Sequence, residues 1–335
     1  MMIMISKRAD KITSFIVMDV MAKAEELERC GENIIHLEVG EPDFPTPKVV
    51  VEAAVEALQK NKTRYTHALG LLELRQAICD SYLKEYGVKI TPEQILVSTG
   101  TSPALLFVML AILDKGDEVI VSNPRYPCYQ NFILAAGGKF KEIKTRPEEG
   151  FVYRPADIKN KITPRTKAIF INSPSNPTGI VMSSQQLQSI AQFKKQYIIS
   201  DEIYHGLVYK DRAHSILEFT DRAFVINGFS KLYAMTGWRL GYCIFPKEFS
   251  KVMQRIHQNF MISASGFIQW AGIAALTRAQ NDVAEMVKIY DERRRYMLKR
   301  LREMGFVIHV EPTGAFYVFA DARKFCKDSY KEAFR

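Results

Sequence analysis

The segment AFVINGFSKLYAMTGWRLGY, residues 223–242, begins with an apolar run and continues at once into glycine and polar residues. The run AFVIN has no polar alternation, which is typical of a strand buried on both faces of a parallel sheet. Ser230 and Lys231 follow it, and Arg239 lies eight residues beyond the lysine. The segment therefore predicts a buried strand whose carboxyl end carries a hydroxyl and two cations.

Four further segments repeat this form, namely QILVS before Thr99, EVIVS before Asn123, AIFIN before Ser173 and YIIS before Asp201. Between them lie patterns of helical length, such as PALLFVMLAIL (103–113) and SSQQLQSIAQFKKQ (183–196). This alternation predicts an α/β fold with a large domain, in which helices flank a mostly parallel sheet. Ligands bind outside the carboxyl ends of such strands, so we expect the polar residues there to form one site.

Composition and charge argue against several classes of protein. The chain has 335 residues, 47% hydrophobic and 25% charged, which is typical of an ordered protein with one large and one smaller domain. The net charge of +9 is dispersed, and its densest run, Arg293 to Arg295, lies in an amphipathic helix pattern with interleaved acids. We therefore expect no nucleic-acid partner. The longest apolar stretch, residues 104–113, is shorter than a membrane span of about 20 residues, so no membrane association is expected.

Cysteine and histidine spacing bears on metals and on location. The five cysteines are far apart and form no CxxC pair, and the six histidines have no HExxH or similar spacing. Neither a disulfide framework nor a metal site is expected. Dispersed, unpaired cysteines favour a reducing, cytoplasmic location.

Two boundaries divide the sequence. The proline-rich stretch EPDFPTP (41–47) stops a helix and fixes an extended turn after a helical arm, MDVMAKAEELERCG. A second boundary falls near 275–285, before a long charged helix and two strand-like runs, GFVIHVEP and GAFYVFA. We expect residues 1–45 to form an N-terminal arm and part of a small domain, 46–280 the large domain, and 281–335 the remainder of a smaller, incomplete α+β domain.

Two of the strand ends predict charge recognition and nucleophilic chemistry. Gly100 to Ser102 lies between a strand and a helix, where free backbone N–H groups and the helix dipole favour a phosphate; an N-cap is the structural alternative. Arg239 can add a bidentate contact to that phosphate, or form a surface ion pair. Lys231 can form a Schiff base if desolvation or a nearby cation lowers its pKa, and otherwise is a solvated strand end.

The remaining polar residues predict recognition of a planar ring. Asp201 follows a buried strand, where a carboxylate is costly unless it pairs, for instance with a protonated ring nitrogen; the alternative is a helix N-cap. Tyr126 can stack on a planar ligand or pack in a turn. Asn176 and Tyr204 can donate to a phenolate-type oxygen, or play turn and core roles. With the phosphate cradle and the lysine, these groups describe one cofactor, pyridoxal 5'-phosphate.

Seven motifs in family order make the sequence similar to the fold type I pyridoxal-phosphate enzymes, class I/II aminotransferases, in the aspartate, aromatic and alanine-type branch marked by GEPDFPTP. They are YTHALGLLELRQAI, STGTSPAL, NPRYPCY, NSPSNPTG, SDEIYHG, FSKLYAMTGWRLGY and PTGAFYVF. The resemblance implies amino transfer between an L-amino acid and a 2-oxo acid, by a ping-pong mechanism through a Schiff base on Lys231. A C–S lyase reaction on the same fold and a non-catalytic cofactor-binding remnant stay open as alternatives.

The resemblance also implies roles for single residues. Lys231 would be the catalytic residue, which holds the Schiff base and, once released, moves the substrate proton. The cofactor would be bound by Thr101, Ser102, Tyr126, Asn176, Asp201, Tyr204, Ser230, Lys231, Arg239 and Tyr65. Tyr65 would reach the phosphate of the neighbouring subunit, which implies a homodimer with shared active sites. Gly40 resembles the glycine whose backbone lies beside the substrate carboxylate.

One departure from the family pattern concerns the carboxyl-terminal end. Family members continue well past the PTGAFYVF strand, and that part carries the arginine that clamps the substrate α-carboxylate. The sequence ends at Arg335, within the helix pattern SYKEAFR, so no residue in it is assigned to the clamp. Because a bidentate charged contact orients a substrate as well as binding it, we expect poor amino transfer by a truncated chain, with cofactor binding retained.

Overall fold

The computed structural model describes residues 5–333, and within them seven strands form one sheet. The strands are β1 Ile95–Ser98, β2 Glu118–Asn123, β3 Lys139–Lys144, β4 Thr166–Asn172, β5 Tyr197–Asp201, β6 Ala223–Gly228 and β7 Gly241–Ile244. Their order across the sheet is β1-β7-β6-β5-β4-β2-β3. The pairs from β3 to β6 are parallel, whereas β7 is antiparallel to both β6 and β1. The mostly parallel sheet is therefore confirmed, although β1 pairs with the antiparallel β7.

Helices precede, connect and follow these strands. They are α1 Ile16–Arg29, α2 Lys48–Gln59, α3 Leu72–Tyr86, α4 Thr101–Ile112, α5 Tyr129–Ala135, α6 Pro155–Lys161, α7 Ser184–Ala191, α8 Ser250–Phe260, α9 Gly266–Arg278, α10 Gln280–Glu303 and α11 Ser329–Ala333. The predicted helical arm is α1, and the predicted long charged helix is α10. The last two residues of the predicted SYKEAFR helix lie outside the described range.

The apolar strand runs are explained by burial of both faces of the sheet. Along β4, Ile169 and Ile171 join one hydrophobic cluster, whereas Ala168 and Phe170 join a second cluster. Successive side chains of a strand point to opposite faces, so the two clusters lie on opposite sides of the sheet. The polar residues that follow these runs are therefore left at the carboxyl ends of the strands.

The two runs predicted as strands of the small domain do not form strands. Within the described residues they make only isolated bridges, Val307 with Asp321 and Gly314 with Val208. The backbone of the second run instead bonds to the large domain, because the N–H groups of Thr313 and Gly314 both donate to the Gly179 carbonyl, at 2.9 and 2.8 Å. This docking carries the following residues to the carboxyl edge of the sheet. The predicted domain division stays a prediction.

Two searches of residues 5–333 bear on membranes and metals. No helix in this range is both long and apolar enough to cross a membrane. The same residues contain no group of three or more His, Cys, Asp or Glu side chains arranged to hold a metal ion.

Candidate active site

Lys231 lies in the turn after β6, and its half-buried side chain points to a shared pocket. Its Nζ donates to the Gly40 carbonyl oxygen at 2.6 Å and lies 5.9 Å from the centre of the Phe316 ring. Burial lowers the pKa of the amine to about 8; Arg239 acts in the same direction, while nearby carboxylates oppose it. At pH 7 roughly a tenth of such an amine is already neutral, so it is a usable nucleophile and base.

Asp201 is the last residue of β5, and its carboxylate is buried. The hydroxyl of Tyr129 donates to its Oδ2 at 2.7 Å, and the backbone N–H of Ile203 donates to its Oδ1 at 3.2 Å. Burial raises the pKa of the carboxyl to about 6, although both hydrogen bonds and Lys231 act in the opposite direction. A cation beside Asp201 would offset this unfavourable desolvation.

Asn176 and Tyr204 converge on one oxygen, the hydroxyl of Tyr317. Asn176 Nδ2 lies 3.1 Å from that hydroxyl and Tyr204 Oη lies 2.6 Å from it. Asn172, at the end of β4, holds Asn176 in place by accepting its backbone N–H at 2.7 Å. The polar atoms of the two side chains thus lie at one point of the pocket.

The beginning of α4 and Arg239 form a cradle suited to an anion. Gly100 precedes the helix with φ +85°, and a Cβ added there would lie 2.5 Å from Nη2 of Arg239. Thr101 and Ser102 are the first two residues of α4, where backbone N–H groups lack partners within the helix. Ser230 lies directly before Lys231 and is buried. A glycine is needed at position 100 to let the guanidinium approach the helix N-terminus.

Tyr126 packs against Tyr129, the residue whose hydroxyl donates to Asp201. Its ring packs edge-on against Tyr129, with ring centres 5.2 Å apart, and against Phe15 at 5.5 Å. Burial raises the pKa of its hydroxyl, so Tyr126 stays neutral and presents an apolar ring.

The structure brings Gly40 into the pocket but leaves Tyr65 outside it. The Gly40 carbonyl accepts the bond from Lys231, and a Cβ added at position 40 would collide with the hydroxyl of Tyr317. The side chain of Tyr65 is 82% exposed. Its role in a neighbouring site stays a prediction.

Sequence reasoning missed Tyr129, Tyr317, Phe15 and Phe316 as members of the pocket. Tyr129 stands in the motif NPRYPCY, and both Phe316 and Tyr317 stand in PTGAFYVF. The motifs drew attention to the right segments, but only the fold decides which ring of each segment faces Asp201 or Asn176.

Comparisons with known proteins identify the family of the chain. The family model for aminotransferase class I and II matches residues 32–333. A (5-formylfuran-3-yl)methyl phosphate transaminase of Methanocaldococcus jannaschii is 42% identical, over 99% of this chain and 89% of that protein. An aspartate/prephenate aminotransferase of Thermus thermophilus is 40% identical, over 99% of this chain and 88% of that protein.

The fold of this chain also matches that of a solved structure in the family. The solved structure of aspartate aminotransferase from Thermus thermophilus with maleate matches with a TM-score of 0.95 and 39% identity, over 98% of this chain and 88% of that one. These matches confirm the fold type I architecture inferred from the motifs. The chain therefore belongs to the class I and II aminotransferases, enzymes that depend on pyridoxal 5'-phosphate.

Proposed function

We propose that Lys231 is the residue at which this aminotransferase works, moving an amino group from an L-amino acid to a 2-oxo acid in two half-reactions. The observation that carries this proposal is a half-buried amine at the carboxyl edge of the sheet, 2.6 Å from the Gly40 carbonyl, whose pKa is lowered by that burial to about 8. It shares its pocket with the buried carboxylate of Asp201 and the paired donors of Asn176 and Tyr204. A base with a pKa near neutrality is well matched to proton transfer at physiological pH.

The residues present fit pyridoxal 5'-phosphate. A Cβ would fill the space between residue 100 and Arg239, so the cradle has the close backbone approach that a phosphate needs, at the positive end of α4. When bound, the cofactor supplies an electron sink for the carbanion formed at the substrate α-carbon. Asp201 would hold a proton on the ring nitrogen, and the cation would in turn favour the ionised carboxylate.

The other side chains of the pocket would bind and orient. Asn176 and Tyr204 would donate to the ring oxygen, and Tyr126 would cover the ring with its own. Arg239, Ser230 and the N–H groups of Thr101 and Ser102 would hold the phosphate. Lys231 would take the proton from the substrate α-carbon and deliver it to the C4' carbon of the cofactor, so that the amino group stays behind when the 2-oxo acid leaves.

Relatives suggest the first amino donor to test. The relatives from Thermus thermophilus and Thermotoga maritima are named as aminotransferases of aspartate. We therefore place aspartate first among the donors, with alanine and an aromatic amino acid as alternatives.

Assembly and location belong to the same proposal. A homodimer with shared sites is supported by large apolar side chains left exposed on this chain, among them Ile35 at 82%, Leu37 at 78% and Ile12 at 46%. Tyr65, exposed on the same chain, would complete the neighbouring site. Five free cysteines support a reducing, cytoplasmic location.

The test is an absorbance spectrum of the protein with pyridoxal phosphate, before and after addition of aspartate, alanine or phenylalanine. We expect a visible band that requires Lys231, is lost in Lys231→Ala and in the charge-retaining Lys231→Arg, and disappears as one equivalent of 2-oxo acid forms. Covalent attachment of the cofactor to either variant, trapped by borohydride reduction, would refute the role of Lys231. Release of ammonia and pyruvate from a cysteine conjugate, without stoichiometric amino transfer, would favour the lyase alternative.

A further inference from the structure

The hydroxyl of Tyr317 lies at the junction of the two halves of the pocket. On one side it is 2.6 Å from the hydroxyl of Tyr204 and 3.1 Å from Nδ2 of Asn176. On its other side it touches Gly40, where a Cβ would collide with it. The Gly40 carbonyl in turn accepts the hydrogen bond from Lys231. One phenol thus contacts the groups assigned to the ring oxygen and the backbone assigned to the substrate.

The ring of Tyr317 is held by packing and by the backbone before it. The N–H of Ala315 donates to the Leu207 carbonyl at 2.9 Å, which fixes this segment on the large domain. The rings of Tyr204 and Tyr317 pack edge to face with their centres 5.5 Å apart, and Phe316 packs edge-on against Tyr204 at 5.6 Å. The hydroxyl is therefore positioned by a rigid surround.

The hydroxyl of Tyr317 can donate a hydrogen bond to Tyr204. Burial raises the pKa of Tyr317 to about 12, so the phenol is protonated at neutral pH. Because Nδ2 of Asn176 can only donate a hydrogen bond, the Tyr317 oxygen accepts it, and the Tyr317 proton is left to be donated elsewhere. The acceptor within reach is the oxygen of Tyr204. Tyr204 can then direct its own proton at a third oxygen.

We propose that Tyr317 is a positioning residue that donates to Tyr204 and so sets Tyr204 as a donor to the ring oxygen of the cofactor. This role rests on the proposed attachment of the cofactor to Lys231. Donors in a chain polarise one another, so Tyr317 strengthens the bond that Tyr204 makes. Stabilising negative charge on the ring oxygen makes the neighbouring imine nitrogen easier to deprotonate, which lowers the pKa of the Lys231 Schiff base.

The test is a pH titration of the visible absorbance of the cofactor-loaded protein. In Tyr317→Phe we expect the pKa of the Schiff base to rise by about 0.5 to 1, the value of one hydrogen bond. Tyr204→Phe should raise it further. The double variant Tyr204→Phe/Tyr317→Phe should match Tyr204→Phe alone, because Tyr317 acts through Tyr204.

Tyr290→Phe is the matched control. Its ring lies in the same aromatic group, 5.5 Å from Phe316, and its buried hydroxyl has no hydrogen-bond partner in the described residues. We expect no change in the pKa of the Schiff base in this variant.

Two results would overturn the inference while leaving the proposed function intact. They are a pKa in Tyr317→Phe that equals that of the wild type, and shifts that add in the double variant. A wild-type protein with no lysine-dependent band would overturn the role proposed for Lys231, and the role of Tyr317 with it.

Discussion

Removal of one hydroxyl should weaken the fold by an amount that depends on pH. The hydroxyl of Tyr129 donates to the buried carboxylate of Asp201 at 2.7 Å, and Tyr129→Phe deletes that donor while keeping the ring. Asp201 has a pKa of about 6 in the fold, against 3.8 for an ordinary aspartate. Its folded form is thus mainly protonated at pH 5 and mainly ionised at pH 8.

The magnitude follows from the charge of the acceptor. A hydrogen bond to a charged group contributes about 1.5 to 3 kcal/mol to stability, and one to a neutral group about 0.5 to 1.5 kcal/mol. Tyr129→Phe should therefore lower the free energy of unfolding by about 2 kcal/mol at pH 8 and by about 1 kcal/mol at pH 5. The sign agrees with linkage: the variant raises the folded pKa of Asp201 further, so additional stability is lost as the pH rises through 6.

The assay is urea unfolding of both proteins at pH 5 and pH 8 without added pyridoxal phosphate. Tyr153→Phe is the matched control, because its buried hydroxyl donates at 2.9 Å to the backbone carbonyl of Phe170, which does not titrate. The control should lose the same stability at both values of pH. Equal losses at pH 5 and pH 8 in Tyr129→Phe would refute the reasoning.

Three further predictions concern the phosphate cradle, the buried carboxylate and the subunit contact. Gly100→Ala should weaken pyridoxal phosphate binding at least about tenfold in a fluorescence titration, because the added Cβ lies 2.5 Å from the guanidinium of Arg239. Gly87→Ala is the control, because Gly87 also has a positive φ but has nothing within 4 Å of an added Cβ, and it should leave that affinity unchanged. Asp201→Asn should raise the free energy of unfolding at pH 8, without added cofactor, by up to about 3 kcal/mol, because the rise in pKa from 3.8 to about 6 means that the ionised carboxylate destabilises the fold. The same variant should abolish amino transfer. A less stable variant would contradict this reasoning. If each site takes Tyr65 from its neighbour, an equal mixture of Tyr65→Ala and Lys231→Ala chains should regain activity. About half of the dimers are then hybrids with one intact site each, so about a quarter of the wild-type sites should be restored. No recovery of activity would contradict shared sites.

The sheet could be predicted where an apolar run is followed directly by polar residues or glycine. β1, β2, β4, β5 and β6 are such strands, and their apolar runs are visible in the sequence alone. β3, with the sequence KFKEIK, lies at the sheet edge, where lysines guard against pairing with other chains, so its composition hides it. β7 begins with a glycine inside the motif that follows Lys231, so no boundary in the sequence sets its apolar run apart from that turn.

The site could be predicted where it is local and not where it depends on packing. Asp201 ends β5, and both Asn176 and Lys231 lie within about one turn of the ends of β4 and β6, so strand prediction alone brings the three to one edge. Tyr129 begins α5 and reaches a carboxylate 72 residues away, which depends on how that helix packs. Tyr317 depends on hydrogen bonds between its preceding turn and the large domain, in a segment that the sequence wrongly suggested was a strand.

Burial is the common cause behind the chemistry of this pocket. It lowers the pKa of Lys231 to about 8 and raises that of Asp201 to about 6, so it brings both groups toward their neutral forms from opposite directions. In water the same two groups would be firmly charged and chemically inert at neutral pH. The low dielectric that makes the lone carboxylate unfavourable also strengthens its attraction to a protonated ring nitrogen. In the proposed function, binding of the cofactor would therefore offset a destabilisation that the fold carries without it, and the residue that weakens the empty fold would also hold the ring in the state needed for transfer.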